Sequence, residues 1–322
     1  MIFKKRSVDL IAKFMKRNSL LVLVLLMISG SLIAQQDKLI THFMFDKMSL
    51  NPGETGIDEG ICGTLLYRNQ WDKVNGAPNS VVLNLAANMN RFFPGGIGIS
   101  FYNDAIGFSS QNNIELNYSY PLRISGVGTL GIGVGFGLMN FSMNPQWEPP
   151  TTAIDPTLPN AISANKFDLN FGLYLKGEQD YYVGISSTHL TQARFADGLG
   201  ITDYGSVRHY YLMGGKTFRD VGPGDIETNL MVRTELLHFS VDVNARYLWN
   251  NIAYAGVTYR TSDAIAIMLG YKPIKNMTVG YSYDITTNRL SSVSKGTHEI
   301  LVKYCYHLPI PPIQKSKHPR WL

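Results

Sequence analysis

Apolar and polar residues alternate with period two over most of the chain. From Met277 to Ile285 the odd positions are Met277, Val279, Tyr281, Tyr283 and Ile285, and the even ones are Thr278, Gly280, Ser282 and Asp284. Phe239, Val241, Val243, Ala245 and Tyr247 alternate in the same way with Ser240, Asp242, Asn244 and Arg246, and the pattern returns in residues 114–122 and 167–175. A strand throws successive side chains to opposite faces, so this period specifies strands with one greasy and one polar side. About fourteen such segments follow one another, most of eight to twelve residues, the length a tilted strand needs to cross a bilayer. The expected spans are 60–68, 79–88, 95–104, 113–124, 129–142, 166–176, 180–188, 208–218, 228–236, 239–248, 251–260, 264–272, 277–285 and 296–306.

The connections carry a second signal. Outer-membrane barrels have short turns on the periplasmic side and longer loops outside. Here the odd-numbered connections include 69–78, 143–165, 189–207 and 286–295, and the even-numbered ones include 125–128, 177–179, 249–250 and 273–276. Residues 237–238 make an unusually short outer connection and 219–227 an unusually long inner one. An even strand count suits a closed, all-β antiparallel transmembrane barrel. The soluble alternative, a secreted β-sandwich or soluble barrel, also alternates but turns its apolar face inward. Tyrosines near strand ends, among them Tyr67, Tyr102, Tyr181, Tyr259 and Tyr306, favour the barrel because they suit the two interfacial girdles of a bilayer. No run of 18 apolar residues follows Ala34, so helices do not span a membrane here.

Charge changes the picture only at the N-terminus. The formal net charge of the 322 residues is +5. Lys4, Lys5, Arg6, Lys13, Lys16 and Arg17 against Asp9 supply a local excess of the same size, so the remaining chain is neutral overall and nucleic acid is not an expected partner. This basic stretch, the apolar run from Leu20 to Ile28 and the small residue Ala34 read as a secretory signal peptide over 1–34, with a membrane-anchor helix as the alternative. Met15, followed by Lys16 and Arg17, is an alternative start. The expected organisation is then an N-terminal segment over 35–59, the barrel over 60–306, and a Pro-rich basic tail over 307–322. That tail is either solvated in the periplasm or docked to a partner there.

Phe43, Met44, Phe45, Met48 and Leu50 make the segment before the first strand too apolar for a free tail. It has two places to go, into the lumen or against the periplasmic end of the barrel. Gly131, Gly133, Gly135 and Gly137 strip one face of a strand of side chains and would leave room for such an insert.

Candidate chemistry is sparse. The Gly131 to Gly137 run is not a phosphate loop, because Ile132, Val134, Phe136 and Leu138 continue the strand where a helix N-terminus would be needed. The seven histidines form no metal-spaced motif, no nucleophile elbow exists, and no cofactor, metal site or enzymatic activity is expected. Cys62 and Cys305 fall on the first and last strands, near the periplasmic end and facing the lumen. Two unpaired small residues is the preferred reading, with a disulfide that closes the barrel as the alternative. Face assignment puts Val279 toward the bilayer and Ser282 toward the lumen, so an arginine is expected to be tolerated better at Ser282.

A set of short motifs in order resembles the PorP/SprF family of type IX secretion system membrane proteins. Gln35-Gln36-Asp37, His42 to Phe45, Asn51-Pro52 and Gly56 resemble its N-terminal signature, and Tyr67-Arg68, Gln70-Trp71 and Gly76 to Pro78 continue it. Further on come Asp104 with Gly107, Asp155-Pro156, Tyr182 with Gly184 and Ser186, His209 to Tyr211, Gly256 with Tyr259-Arg260, Gly280 to Asp284, and Gly296-Thr297-His298-Glu299. Gly53, Glu54 and Thr55 depart from the usual Asn-Pro-Ala-Tyr-Ala-Gly, and Thr297 from the usual Gly-Ser-His-Glu. The resemblance implies a non-enzymatic outer-membrane barrel that supports export or surface anchoring of cargo such as large adhesins, and in some members gliding. The partners it implies are outer-membrane lipid, components of the secretion machinery, and cargo carrying a type IX C-terminal domain. Asn51, Pro52, Arg68, Trp71, Asp104, Asp284, His298 and Glu299 are motif residues without an assigned role. A diffusion channel for small or apolar solutes, similar to FadL, is the alternative function.

Overall fold

The structure, a computed structural model, describes residues 38–145, 161–196 and 203–307. The leader, Asp155-Pro156 and the tail after His307 lie outside the described residues. Fourteen antiparallel strands close into a barrel, and all fourteen expected segments are present. The barrel strands are β1 (Ile61–Asn69), β2 (Asn79–Asn88), β3 (Gly96–Ile106), β4 (Ser109–Ile124), β5 (Gly128–Met143), β6 (Ile162–Gly177), β7 (Tyr181–Thr188), β10 (His209–Val221), β11 (Gly224–Thr234), β12 (Phe239–Trp249), β13 (Ala253–Arg260), β14 (Ala264–Tyr271), β15 (Met277–Thr286) and β16 (Thr297–Tyr306). A small hairpin, β8 (Arg194–Ala196) with β9 (Asp203–Gly205), decorates the connection between β7 and β10. No helix among the described residues is long and apolar enough to cross a membrane.

The faces are inverted relative to a soluble protein. Leu116 is 60% exposed and Ile267 49% exposed on the outside, whereas Asp242, Asn244 and Ser282 are wholly buried inside. An aqueous sandwich would bury the first set and expose the second. Only a hydrocarbon surround makes this arrangement favourable, so the barrel sits in a membrane.

Register explains where the sequence expectations were short. Strand β4 begins at Ser109 and β6 at Ile162, four residues before the alternation becomes visible in each. In the extra turns both faces are polar or mixed, as in Asn112 opposite Asn140 and Asn140 opposite Asn165, because these tips stand above the apolar belt. The long inner connection expected over 219–227 is instead a tight hairpin: β10 and β11 run on to Val221 and Gly224, with a register shift between Phe218 and Val221. The connection between β3 and β4 likewise shrinks to Gly107 and Phe108.

The first and last strands pair directly along nine residues, from Ile61 opposite Tyr306 to Asn69 opposite His298. Within that seam Cys62 lies opposite Cys305, with Cα atoms 4.0 Å apart, and the two are joined in a disulfide. Two unpaired cysteines were the preferred sequence reading. Cross-strand register corrects it, since directly opposed positions on one face place the two Cβ atoms within bridging reach.

Candidate functional site

Residues 38–59 fold inside the lumen. A series of turns over 41–50 is followed by a single 3-10 turn, η1 (Pro52–Glu54), and the chain then reaches β1. Of the two places open to this segment, the structure selects the interior. Ile40, Phe43, Met44 and Leu50 pack against Leu66, Tyr102, Tyr174, Met213, Met231, Tyr254, Met268 and Leu301, which point inward from the strands. The apolar residues that a free tail could not carry are thereby removed from water.

Two devices fix the segment. The first is a buried ionic cluster. Arg68 on β1 donates through Nη2 to Asp284 Oδ2 of β15 at 2.9 Å, and through Nη1 to Glu299 Oε2 of β16 at 3.0 Å. Thr41 and His42 sit on these carboxylates. The Thr41 backbone N–H donates to Glu299 Oε2 at 2.9 Å, and its hydroxyl donates to Asp284 Oδ2 at 2.8 Å. Arg260 bridges Asp242 and Asp284, and Arg233 completes the set on Asp242 at 2.6 Å. Three guanidinium groups meet the buried carboxylates of Asp242, Asp284 and Glu299 here, with half-buried Asp263 also 3.2 Å from Arg260, and such pairing is what buried charges require.

The second device is a glycine floor. Asn51 caps η1 by accepting from the Gly53 N–H at 2.9 Å, while its Nδ2 donates to the Leu173 carbonyl at 3.0 Å. A Cβ on Gly133 would run into the Pro52 and Gly53 backbone, and one on Gly172 into the Asn51 side chain. The expected insert site is therefore real but differs from the run that suggested it. Gly131 and Gly133 receive the segment, whereas Gly135 meets the Glu115 and Asn117 side chains and Gly137 lies beside Asp168. Gly96, Gly98, Gly172 and Gly184, dispersed over β3, β6 and β7, complete the floor.

Toward the end where residues 38–59 join β1, a cavity of about 30 Å³ lies between segment and wall, lined by Lys47, Glu54, Asp58, Cys62, Thr64 and Lys303 among others. It has room for about two waters. Burial, aided by neighbouring Asp58, pushes the Glu54 carboxyl up to about 7. Burial also acts on Asp58, but Lys176, Lys303 and Lys47 outweigh it and hold that carboxyl below its usual range.

The remaining motif residues separate. Pro52 belongs to η1. Asp104 accepts from Ser80 Oγ at 2.5 Å on the neighbouring strand, away from the ionic cluster. His298, although adjacent to Glu299, points outward, where its Nδ1 meets Tyr281 Oη at 2.7 Å beside the Tyr283 ring. Trp71 lies in the first outer loop, its backbone N–H on Thr297 Oγ1 at 3.1 Å. Ser282 faces a filled interior, so the tolerance expected for an arginine there is withdrawn.

A further polar set was not evident from the sequence. His189 Nδ1 meets Asp168 Oδ2 at 2.6 Å, and Glu235 lies between His209 and His238. His189 and Asp168 are 21 positions apart, and His209 lies on a different strand from the connection that holds Glu235 and His238. Among the described residues no group of three or more His, Cys, Asp and Glu is placed to hold a metal ion.

Comparison with known proteins adds three findings. A family model described as type IX secretion system membrane protein PorP/SprF matches residues 32–304. No curated protein matches the chain. Among solved structures, the Ralstonia pickettii toluene transporter TbuX is 13% identical, with a TM-score of 0.51 over 82% of this chain and 94% of that one. The Acinetobacter baumannii outer membrane protein Omp33 is 7% identical, with a TM-score of 0.47 over 78% of this chain and all of that one.

Proposed function

This chain belongs to the PorP/SprF family of type IX secretion system membrane proteins, and we propose that it serves as a non-enzymatic, sealed barrel supporting export or surface anchoring of type IX cargo. It is an outer-membrane β-barrel. The observation that supports the sealed form is the lumen. Thr41, His42, Phe43, Leu50 and Asn51 are each at most 1% exposed inside the barrel, so the space a solute would use is occupied by the protein's own segment.

A diffusion channel similar to FadL needs a passage, whereas residues 38–59 pack against the inward-facing side chains of the described barrel. The likeness to the toluene transporter TbuX is a likeness of fold and does not bring its solute to this chain. A barrel whose interior is spent on internal packing has its outer loops and rims left for partners. Cargo with a type IX C-terminal domain and components of the secretion machinery are the partners proposed here.

The test is deletion of the gene, followed by fractionation of cells and medium for proteins carrying a type IX C-terminal domain. Loss of at least one such protein from the surface or the medium, restored by the intact gene, is the expected result. An unchanged set of surface and secreted proteins would overturn the proposal.

A further inference from the structure

The first outer loop, residues 70–78 between β1 and β2, is rigid and builds a pocket that the sealed barrel does not use. Its backbone is tied to two neighbouring segments by three hydrogen bonds. Asp72 N–H donates to the Gly296 carbonyl at 2.8 Å, the Lys295 N–H donates to the Asp72 carbonyl at 2.9 Å, and the Gly107 N–H donates to the Gly76 carbonyl at 3.0 Å. Two residues in this loop take left-handed backbone conformations, Trp71 with φ of 52° and Lys73 with φ of 68°. A bulky aromatic residue rarely adopts that region, and such local strain is retained where the surroundings enforce it, often at binding sites.

The pocket is an open depression of about 310 Å³ lined by Asn69, Trp71, Asp72, Lys73, Asn75 and Asn79 together with small residues such as Gly76, Ala77 and Ala105. This lies at the lower end of the roughly 300–1,000 Å³ that ligand sites occupy. Asn69 donates to Asn79 Oδ1 at 2.8 Å, and Asn79 donates to the Ala77 carbonyl at 3.3 Å, which holds both amides in place at the pocket edge. One aromatic side chain, three amides and one opposed pair of charges is a lining suited to a ligand with an apolar face and many hydroxyls. It offers little to a purely apolar or strongly anionic one.

Strand parity gives the location. Asn69 and Asn79 point outward from the barrel wall, two residues beyond Tyr67 on β1 and Val81 on β2, which point the same way. Below them on that face come Leu65 and Leu83, 44% and 42% exposed. The next four strands continue a polar band above their apolar rows, with Asn103 on β3 donating to Asn112 on β4 at 2.7 Å and Asn140 on β5 donating to Asn165 on β6 at 2.7 Å. The pocket therefore opens at the lip of the outer leaflet, where lipid headgroups and external solutes both arrive.

We propose that this pocket binds an uncharged saccharide unit, with Trp71 against the sugar's apolar face and Asn69, Asp72, Asn75 and Asn79 hydrogen bonding its hydroxyls. Free sugar and the sugar of a membrane glycolipid share this chemistry, and the experiment separates them. Full-length protein in phospholipid nanodiscs is titrated with a panel of neutral mono- and disaccharides and followed by saturation-transfer NMR. A parallel set of nanodiscs contains lipopolysaccharide from the native host, with protein contacts read by photo-crosslinking from position 73.

Saturable binding of one saccharide near about 1 mM, weakened about tenfold by both Trp71→Ala and Asn75→Ala, supports a free-sugar site. Crosslinking to lipopolysaccharide that both variants reduce about tenfold supports a glycolipid site. Asn75 is exposed and its side chain makes no hydrogen bond among the described residues, so Asn75→Ala leaves the loop folded even if Trp71→Ala disturbs it. No binding in either arm, or signals that Asn75→Ala leaves unchanged, would overturn the proposal.

Discussion

His42 and Glu299, 257 positions apart, meet through two hydrogen bonds: the His42 backbone N–H and its ring Nδ1 both lie 2.7 Å from Glu299 Oε1. The contact joins the N-terminal segment to the last strand. It also depends on barrel closure, because Arg68 on the first strand holds the other oxygen of the same carboxylate at 3.0 Å. Removing one member of a buried ionic set strands its partners in low dielectric, at a cost of about 3–5 kcal/mol. Glu299→Ala is therefore expected to lower thermal stability by that order and to expose residues 38–59 to added protease. An unchanged melting curve with a protected segment would argue that the cluster does not hold it.

The glycine floor makes a prediction with an internal control. A methyl at Gly133 collides with the Pro52 and Gly53 backbone, which has nowhere to move, whereas the nearest atom to a methyl at Gly137 is Asp168 Cβ at 3.4 Å. Gly133→Ala is expected to displace the segment and destabilise the protein by about 1–3 kcal/mol, with Gly137→Ala near neutral. Denaturant or thermal unfolding in detergent distinguishes them, and equal effects would contradict the placement of Asn51 to Gly53.

Glu54 gives the segment a pH response. Its carboxyl is raised from the ordinary 4.5 to about 7 in the folded protein, so the folded state binds the proton more tightly than the unfolded state does. For an acid shifted upward, stability is greatest below the unfolded value and falls as pH rises from 4.5 through 7. Segment protection against protease is expected to weaken between about pH 5 and pH 8. Glu54→Gln, which stays neutral, should flatten that change; an identical slope in the variant would assign the response to another group.

Much of this fold is written in the alternation. Strand β2 was legible to the residue because Pro78 and Asn88 bracket a clean apolar stripe in Val81, Leu83 and Leu85. The outer tips of β4 and β6 were not, since they stand above the apolar belt, where Ser109 to Asn112 and Ile162 to Asn165 show no clean two-residue period and Ile162 and Ala164 pack against a separate cluster around Phe195. Arg68, Asp284 and Glu299 were visible as motif residues, but their meeting depends on β1, β15 and β16 becoming neighbours when the sheet closes. His298 and Glu299 show the same limit at short range: adjacency in sequence puts them on opposite faces of one strand. The dispersed glycines Gly96, Gly98, Gly172 and Gly184 gave no local signal, because each is a single gap in a different strand.

Bilayer-facing and lumen-facing positions should both resist arginine, for different reasons. Ile267→Arg places a charge in hydrocarbon from mid-strand, at roughly 2–4 kcal/mol near the midplane. Ser282→Arg overpacks a site with no free volume beside Glu299, at about 1–3 kcal/mol. Refolding into lipid vesicles measures both. Free tolerance at Ser282 would mean that the interior there is open water.

The disulfide between Cys62 and Cys305 closes the seam at the end where β1 begins and β16 finishes. Unboiled, non-reducing electrophoresis should show one compact band for the native protein. Mass spectrometry of its digest should recover the linked Cys62 and Cys305 peptides, a product absent from Cys62→Ser. Two alkylatable thiols in protein freshly isolated from the envelope would contradict the bond.

The most direct test of the sealed lumen is single-channel recording of the full-length protein in planar bilayers, beside Glu299→Ala. The native barrel is expected to stay silent and the variant to show intermittent openings as residues 38–59 leave the interior. A steady, solute-sensitive conductance from the native protein would contradict the filled lumen and restore the diffusion channel.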